Sequence, residues 1–280
     1  MKKTNFQKAF LVFLSCFVVA AMGCNTNGCE PKEKYERVVN LTDAIQAGGS
    51  FEAQTHNGHI NVTGADVIQC NLIATITARA DTVENAQKLA EAVEIKLINS
   101  GNKLTAKIEK PELAPDEYIC VDLDVTIPNK TSIDLTSHNG ALKIENLIGQ
   151  VSSTTHNGTI TCKKVTGNTQ IQTHNGSIVC EEVSGDIKLQ THNGNATASY
   201  SAAAPSVCNA SLITHNGSVS LTTPPNLSAK VEVSTHNGTI DTALPMTVTG
   251  NITKRNLTGT IGKGEGSLYL ETHNGSIKIK

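Results

Sequence analysis

From Thr131 to the last residue, apolar and polar side chains alternate in short runs, many of which close on a glycine. Gly158-Thr-Ile-Thr-Cys-Lys-Lys-Val-Thr-Gly167 and Asn168-Thr-Gln-Ile-Gln-Thr-His-Asn-Gly176 form one such pair. Period-two alternation predicts strands buried on one face. The paired runs recur at a spacing of 18 from His138 to His192, then at steps of 23, 21 and 37. Each unit would add one strand to each of two sheets. No unit can bury its apolar face alone, but a stacked array can. The pattern predicts a mainly β chain: a two-sheet β-solenoid, β-helix or β-roll in kind, of about 18-residue rungs over 129–280. Stacking in register would align Leu142 with Ile160 and Ile178, Leu147 with Val165 and Val183, and Val151 with Ile171 and Leu189. In the 37-residue step, Gly259-Thr-Ile echoes Gly238-Thr-Ile and Gly275-Ser-Ile, so a degenerate rung without histidine is expected there. The closing Ser276-Ile-Lys-Ile-Lys280 reads as an edge strand whose outward lysines deter another chain from adding on.

One further copy of the repeat, Thr55-His-Asn-Gly58, comes early, so residues 38–65 read as a first rung. Residues 66–128 have another texture. Ile68, Cys70, Leu72, Ala74 and Ile76 alternate as a strand, and Asp81 with Glu84 resembles a capping box. That box would open a helix with Val83, Ala86, Ala90 and Val93 on one face. Runs at 93–98 and 103–109 flank Asn99-Ser-Gly-Asn102, a hairpin signal, and a last strand runs from Tyr118 to Ile127 before Pro128. This reads as a small α+β insert capping the open end of the array.

The N-terminus changes the picture of where the chain goes. Lys2, Lys3 and Lys8 precede an uncharged apolar stretch from Phe10 to Met22, then Gly23-Cys24. Residues 1–23 read as an export signal, whose apolar stretch of roughly a dozen residues is short for a span of about 20. Ala21 and Gly23 before Cys24 resemble the lipobox of bacterial lipoproteins, which implies cleavage before Cys24, a lipid on its sulfur, and the membrane as a partner. Residues 24–37 are polar and read as a tether. Asn25 stands where inner-membrane lipoproteins often carry Asp, which favours the outer membrane or cell surface.

Without residues 1–23 the chain has 20 basic against 25 acidic side chains, a balance of −5. Nothing in that balance draws it to nucleic acid. The aromatic side chains left besides histidine are Phe51, Tyr35, Tyr118, Tyr200 and Tyr269, so stacking platforms for bases or sugar rings are scarce.

Eight of the nine histidines sit in His-Asn-Gly: His56, His138, His156, His174, His192, His215, His236 and His273. Alternation turns each outward, so stacked rungs would line them up in one exposed file. Glycine and asparagine suit the tight turn, and the threonine before histidine suits its corner. Three readings of the file stay open. It is a turn residue propagated with the repeat, or a site where neighbouring imidazoles about 4.8 Å apart share a Zn, Cu or Ni ion, or an acid sensor whose imidazoles repel on protonation. His59 would add a further outward imidazole beside His56. Carboxylates are not concentrated there, which disfavours calcium.

Cys162 and Cys180 fall one rung apart at equivalent inward positions and read as either a disulfide or two buried thiols. Cys70 and Cys120 lie on neighbouring insert strands and form a second candidate pair. Catalytic signatures are absent: there is no nucleophile elbow, HExxH or phosphate loop. A lone pair such as Glu181 and Glu182 with His174 is the one arrangement that would suit a carbohydrate-active enzyme.

The Thr-x-Asn-Gly-x-Ile repeats, with an early single copy and an α+β stretch ending in a strand and Pro128, resemble a bacterial "putative adhesin" family of unknown function that forms β-solenoids. The likeness covers about residues 38–280, and the near-invariant histidine before asparagine departs from the general pattern. The resemblance implies surface display. The expectation is therefore a lipid-anchored, non-enzymatic binding or scaffold protein of the envelope, with an envelope protein or glycan as partner. Metal binding by the file is the alternative.

Overall fold

The computed structural model describes residues 32–248 and 253–280; the segment read as an export signal, Cys24 and Cys29 fall outside them. The chain opens with β1 (Glu33–Ala44), β2 (Ser50–Asn57), β3 (Ile60–Ala65), β4 (Gln69–Ala80) and the helix α1 (Val83–Glu91). Next come β5 (Glu94–Ser100), β6 (Lys103–Glu109), β7 (Tyr118–Pro128), β8 (Ser132–Asn139) and β9 (Leu142–Ile148). The regular rungs continue through β10 (Val151–Asn157), β11 (Ile160–Thr166), β12 (Thr169–Asn175), β13 (Ile178–Val183), β14 (Ile187–Asn193) and β15 (Ala196–Tyr200). The last part holds β16 (Asn209–Asn216), β17 (Val219–Thr222), β18 (Ala229–Asn237), β19 (Ile240–Thr242), β20 (Thr247–Val248), β21 (Asn256–Ile261), β22 (Gly266–Asn274) and β23 (Ile277–Ile279).

Two sheets result. Sheet A runs β1-β4-β7-β3-β9-β11-β13-β15-β17-β23-β19, and sheet B runs β20-β21-β18-β22-β16-β14-β12-β10-β8-β2-β6-β5. The predicted mainly β, two-sheet solenoid is what forms. Rungs pair in parallel with a shift of 18, as in Ile160 with Ile178 and Thr173 with Thr191. Inward side chains from both sheets make one core, with Ile160, Ile178, Leu189 and Leu212 fully enclosed.

Leu142 lies opposite Ile160, and Leu147 opposite Val165, as expected. The third expected column is wrong by two positions. Val151 lies opposite Thr169, while Ser153 lies opposite Ile171 and Ile171 opposite Leu189. Register follows the 18-residue repeat even where that stacks a threonine or serine in an otherwise aliphatic file.

Rung order also departs from sequence order. β22 inserts between β16 and β18, and β23 between β17 and β19. The closing segment is therefore internal, with Lys278 opposite Ser220 and Asp241, and the edge of sheet A falls on the short β19. The Gly259 segment is no rung: β21 runs antiparallel to β18 with Gly259 opposite Val231.

Residues 66–128 do not form a separate lid. β4 and β7 extend sheet A, the β5–β6 hairpin extends sheet B through β2, and α1 packs on β1 and β4. Residues 33–37, expected as part of a tether, belong instead to β1, which begins at Glu33 and pairs along its whole length with β4. Residues 38–44 thus belong to this end cap rather than to the first rung. Ile68 precedes β4 and is 89% exposed. The helix is capped by Thr82, whose hydroxyl accepts from Asn85 N, while Asp81 accepts from Thr82 N and Asn85 Nδ2. Val83 points to solvent, and Leu89 joins Ala86 and Ala90 in the core.

Sheet A carries a bend at each regular rung. Asn146, Lys164 and Glu182 adopt φ of 59°, 54° and 54°, which lets Cys162 and Val165, three positions apart, both face inward. A left-handed conformation costs a residue with a Cβ about 1–2 kcal/mol. Lys164→Gly should therefore raise stability by about 0.5–1 kcal/mol, read as a higher urea midpoint at unchanged slope. A lower midpoint would show that the lysine stem holds the bend.

Candidate functional site

Each regular strand of sheet B ends in Thr-His-Asn, with serine in place of threonine in β8. Threonine points inward and its hydroxyl donates to a glycine carbonyl of the neighbouring rung: Thr173 to Gly158 at 3.0 Å, Thr191 to Gly176 at 2.8 Å. Asparagine turns the corner and builds a continuous amide ladder. Asn175 Nδ2 donates to Asn157 Oδ1 at 2.8 Å, and Asn193 Nδ2 to Asn175 Oδ1 at 2.7 Å. The same bond links every rung from Asn57 to Asn237. Close approach alone requires glycine at position 158, where a Cβ would lie 2.1 Å from the carbonyl oxygen of Gly140.

Histidine is what remains exposed. The eight imidazoles form one file in the order His56, His138, His156, His174, His192, His215, His273, His236, with centroids 4.6–4.9 Å apart. Ring planes differ by 1–20°. That parallelism corrects the expectation of a shared ion. A ligated metal lies near the plane of its imidazole at about 2.0–2.1 Å from nitrogen, so one ion cannot lie in the planes of two parallel, stacked rings whose centroids are 4.8 Å apart. Among the described residues no group of three His, Cys, Asp or Glu is placed to hold a metal ion.

His59 does not join His56. Its Nδ1 meets Asp122 Oδ1 at 3.0 Å, and its backbone N–H donates to the same oxygen at 2.9 Å. Cys120 Sγ donates to that oxygen at 3.5 Å. Burial, then Asp122, pushes the Cys120 thiol up to about 11, the opposite of what a nucleophile needs. Asp122 carried no signal in the sequence, because the contact joins strands 63 residues apart.

Cys120 lies opposite Thr77 and is half-buried on the outer face of β7, whereas Cys70 is in the core near the far end of β4. These two thiols do not meet. Burial, then Asp43, pushes Cys70 up to about 12. Cys162 and Cys180 are direct partners in the parallel ladder, and both are thiols. A hydrogen bond with Cys162, then burial, raises the Cys180 thiol well above its ordinary range. As for the carboxylates near His174, Glu181 meets Lys163 at 3.4 Å and Glu182 occupies the bend.

The concave feature lies elsewhere on sheet B. A trough of about 670 Å³ crosses the outer face near the starts of the strands, from Lys103 on β6 to Tyr269 on β22. At about 4.8 Å per strand its eight strands give roughly 34 Å. Polar side chains line it in files, Ser132, Gln150, Asn168 and Asp186 in one and Asp134, Ser152, Gln170 and Lys188 in the next, and Phe51, Ile133, Val151, Ile187 and Ala210 also border it. Tyr269 also borders a second hollow of about 500 Å³ over β18 and β21. Its hydroxyl donates to Glu271, which pushes the phenol up to about 12. The trough was readable as polar outward side chains recurring at a spacing of 18, had those files been compared across rungs. No helix among the described residues is long and apolar enough to cross a membrane.

Comparison with solved structures matches a "putative cell adhesion protein" from Clostridium sporogenes ATCC 15579, 11% identical over 87% of this chain and 99% of that one, at a TM-score of 0.38. A "putative adhesin" from Bacteroides fragilis NCTC 9343 is 13% identical over 87% and 97% at 0.42. A "putative lipid binding protein" from Parabacteroides distasonis ATCC 8503 is 10% identical over 87% and 96% at 0.34. Comparison with curated proteins gives no match. The family model described as Toastrack DUF4097 matches residues 30–280, nearly all of the chain, and the protein belongs to that family.

Proposed function

We propose that this protein is an exported, non-enzymatic binding protein of the cell envelope, held at the membrane by a lipid on Cys24, and that the trough across sheet B receives an extended glycan. The trough carries this reading. It is long and open, and hydroxyl, amide and a few charged groups recur along it between apolar patches, which suits a flexible hydroxyl-rich polymer lying across the rungs rather than a compact molecule. Tyr269 supplies one ring against which a sugar face can rest. Adhesin-like attachment or scaffolding follows from the same surface, because a rigid solenoid presents one polymer to many equivalent rungs.

An array of linear oligosaccharides probed near neutral pH is the test. The wild-type protein is expected to retain at least one neutral glycan, and Ser152→Trp, which fills the middle of the trough, to weaken that retention about tenfold. Far-ultraviolet circular dichroism of the variant should match wild type. No retained glycan, or retention that Ser152→Trp leaves intact, would overturn the trough as the binding surface.

A further inference from the structure

The histidine file is separate from the trough. It lies on the same face, four residues further along each strand, or roughly 13 Å at about 3.3 Å per residue. We infer that this edge is a second binding strip, selective for an acidic polysaccharide and engaged as pH falls below neutrality.

Charge distribution along the corner is the first argument. The row on one side holds neutral Thr154, Gln172 and Gln190, and the row on the other holds Thr159, Ser177 and Ser218. Glu271, beside His273, is the one acid in those flanking rows, and it accepts the Tyr269 hydroxyl. At the first rung Asp122 is engaged by His59, and further out on sheet A stand Lys143 with Glu145 and Lys278 with Asp241. Imidazole is the side chain that gains charge between about pH 8 and pH 5. The file sets its imidazoles 4.6–4.9 Å apart over seven steps, or about 33 Å, so protons taken up along it stand close together in one row.

The end of the row gives the second argument. Beyond His236 the chain returns as the segment before β21, where Thr235 N donates to Arg255 O at 2.8 Å and Ile240 N to Lys254 O at 3.1 Å. Lys254 and Arg255 thus occupy the next corner position, exposed and without an ion pair among the described residues. The strip carries permanent positive charge at this end and conditional charge along the rest. A row of closely spaced cations repels itself, and a ligand with regularly placed anions offsets that repulsion, so binding and proton uptake are coupled.

The flanking rows choose among polyanions. They offer hydroxyls and amides in reach of sugar hydroxyls, and the strip has no Phe, Tyr or Trp on which a base could stack. Uronate or sulfate groups along a glycan fit both features.

Polygalacturonate titrated into the purified protein by calorimetry at low salt is the experiment, with neutral dextran and single-stranded DNA as comparators. Affinity for polygalacturonate is expected to rise about tenfold or more between about pH 7.5 and pH 5.5, with proton uptake seen as a buffer-dependent heat. The rise should disappear in a variant combining His156→Gln, His174→Gln, His192→Gln and His215→Gln, while Ser152→Trp keeps it. Lys254→Ala with Arg255→Ala should lower the binding that remains at the higher pH. A variant that does not fold is replaced by wild type in raised salt, where the pH-dependent gain should collapse. A pH-independent affinity, a rise retained by the histidine variant, or DNA bound as tightly as polygalacturonate would each overturn the assignment.

Discussion

Gly158→Ala should cost this protein at least about 4 kcal/mol and leave it unfolded or close to it at ambient temperature. A methyl group seldom does so much, and close packing of backbone on backbone is the reason. The new Cβ would stand 2.1 Å from Gly140 O and 2.6 Å from Gly140 C, both main-chain atoms of the neighbouring rung. A flexible side chain could swing away, but this carbonyl cannot. It accepts the Thr155 hydroxyl at 3.0 Å, and Gly140 N donates to Asn157 O at 3.0 Å. Relief would require the corners to separate, which breaks the Asn157–Asn139 amide bond of 2.7 Å and loosens the adjoining ladder. Gly48→Ala is the control, since nothing lies within 4 Å of its Cβ and only the φ of +79° is disfavoured. That change should cost about 1 kcal/mol. Urea unfolding of both variants tests the contrast, and equal losses at the two positions would refute the close-approach argument.

The corner also explains how much the sequence disclosed. The threonine, asparagine and glycine roles were legible because each is repeated, and repetition converts a weak local preference into a register. Histidine's outward direction followed from alternation alone, as at Val231, Val233 and Thr235 against His236. Ring orientation did not, because parallel stacking depends on rotamers set jointly by neighbours, and that detail removes the shared-ion geometry. Long-range insertions were invisible for another reason. All the Thr-His-Asn-Gly corners are chemically alike, so a copy at His273 pairs equally well with His215 or His236, and only the connection through β21 decides that it goes between them. The cap was mispartitioned for a similar cause: β4 and β7 look like a separate domain by texture, yet their backbone edges complete sheet A.

Removal of residues 266–280 should destroy the cooperative fold rather than trim one end. These residues are last in the chain but central in the stack, where β22 bridges β16 to β18 and β23 bridges β17 to β19. Leu268, Leu270, Ile277 and Ile279 are each no more than 1% exposed, so deleting them forfeits about 6–12 kcal/mol of burial before chain entropy is counted. A typical domain is stable by only about 5–15 kcal/mol. The truncated protein could recover only by sliding β18 onto β16, yet β21 and the Lys254–Arg255 corner are tied to β18 and would have to move with it. Folding should therefore finish only once the C-terminal residues have emerged and inserted between strands made earlier, a pairing of high sequence separation that slows the last step. Thermal unfolding of the truncated protein is expected to lack a sharp transition. A cooperative melt within about 5 °C of wild type would mean that the histidine corners close up in sequence order and that the inserted rung adds little to stability.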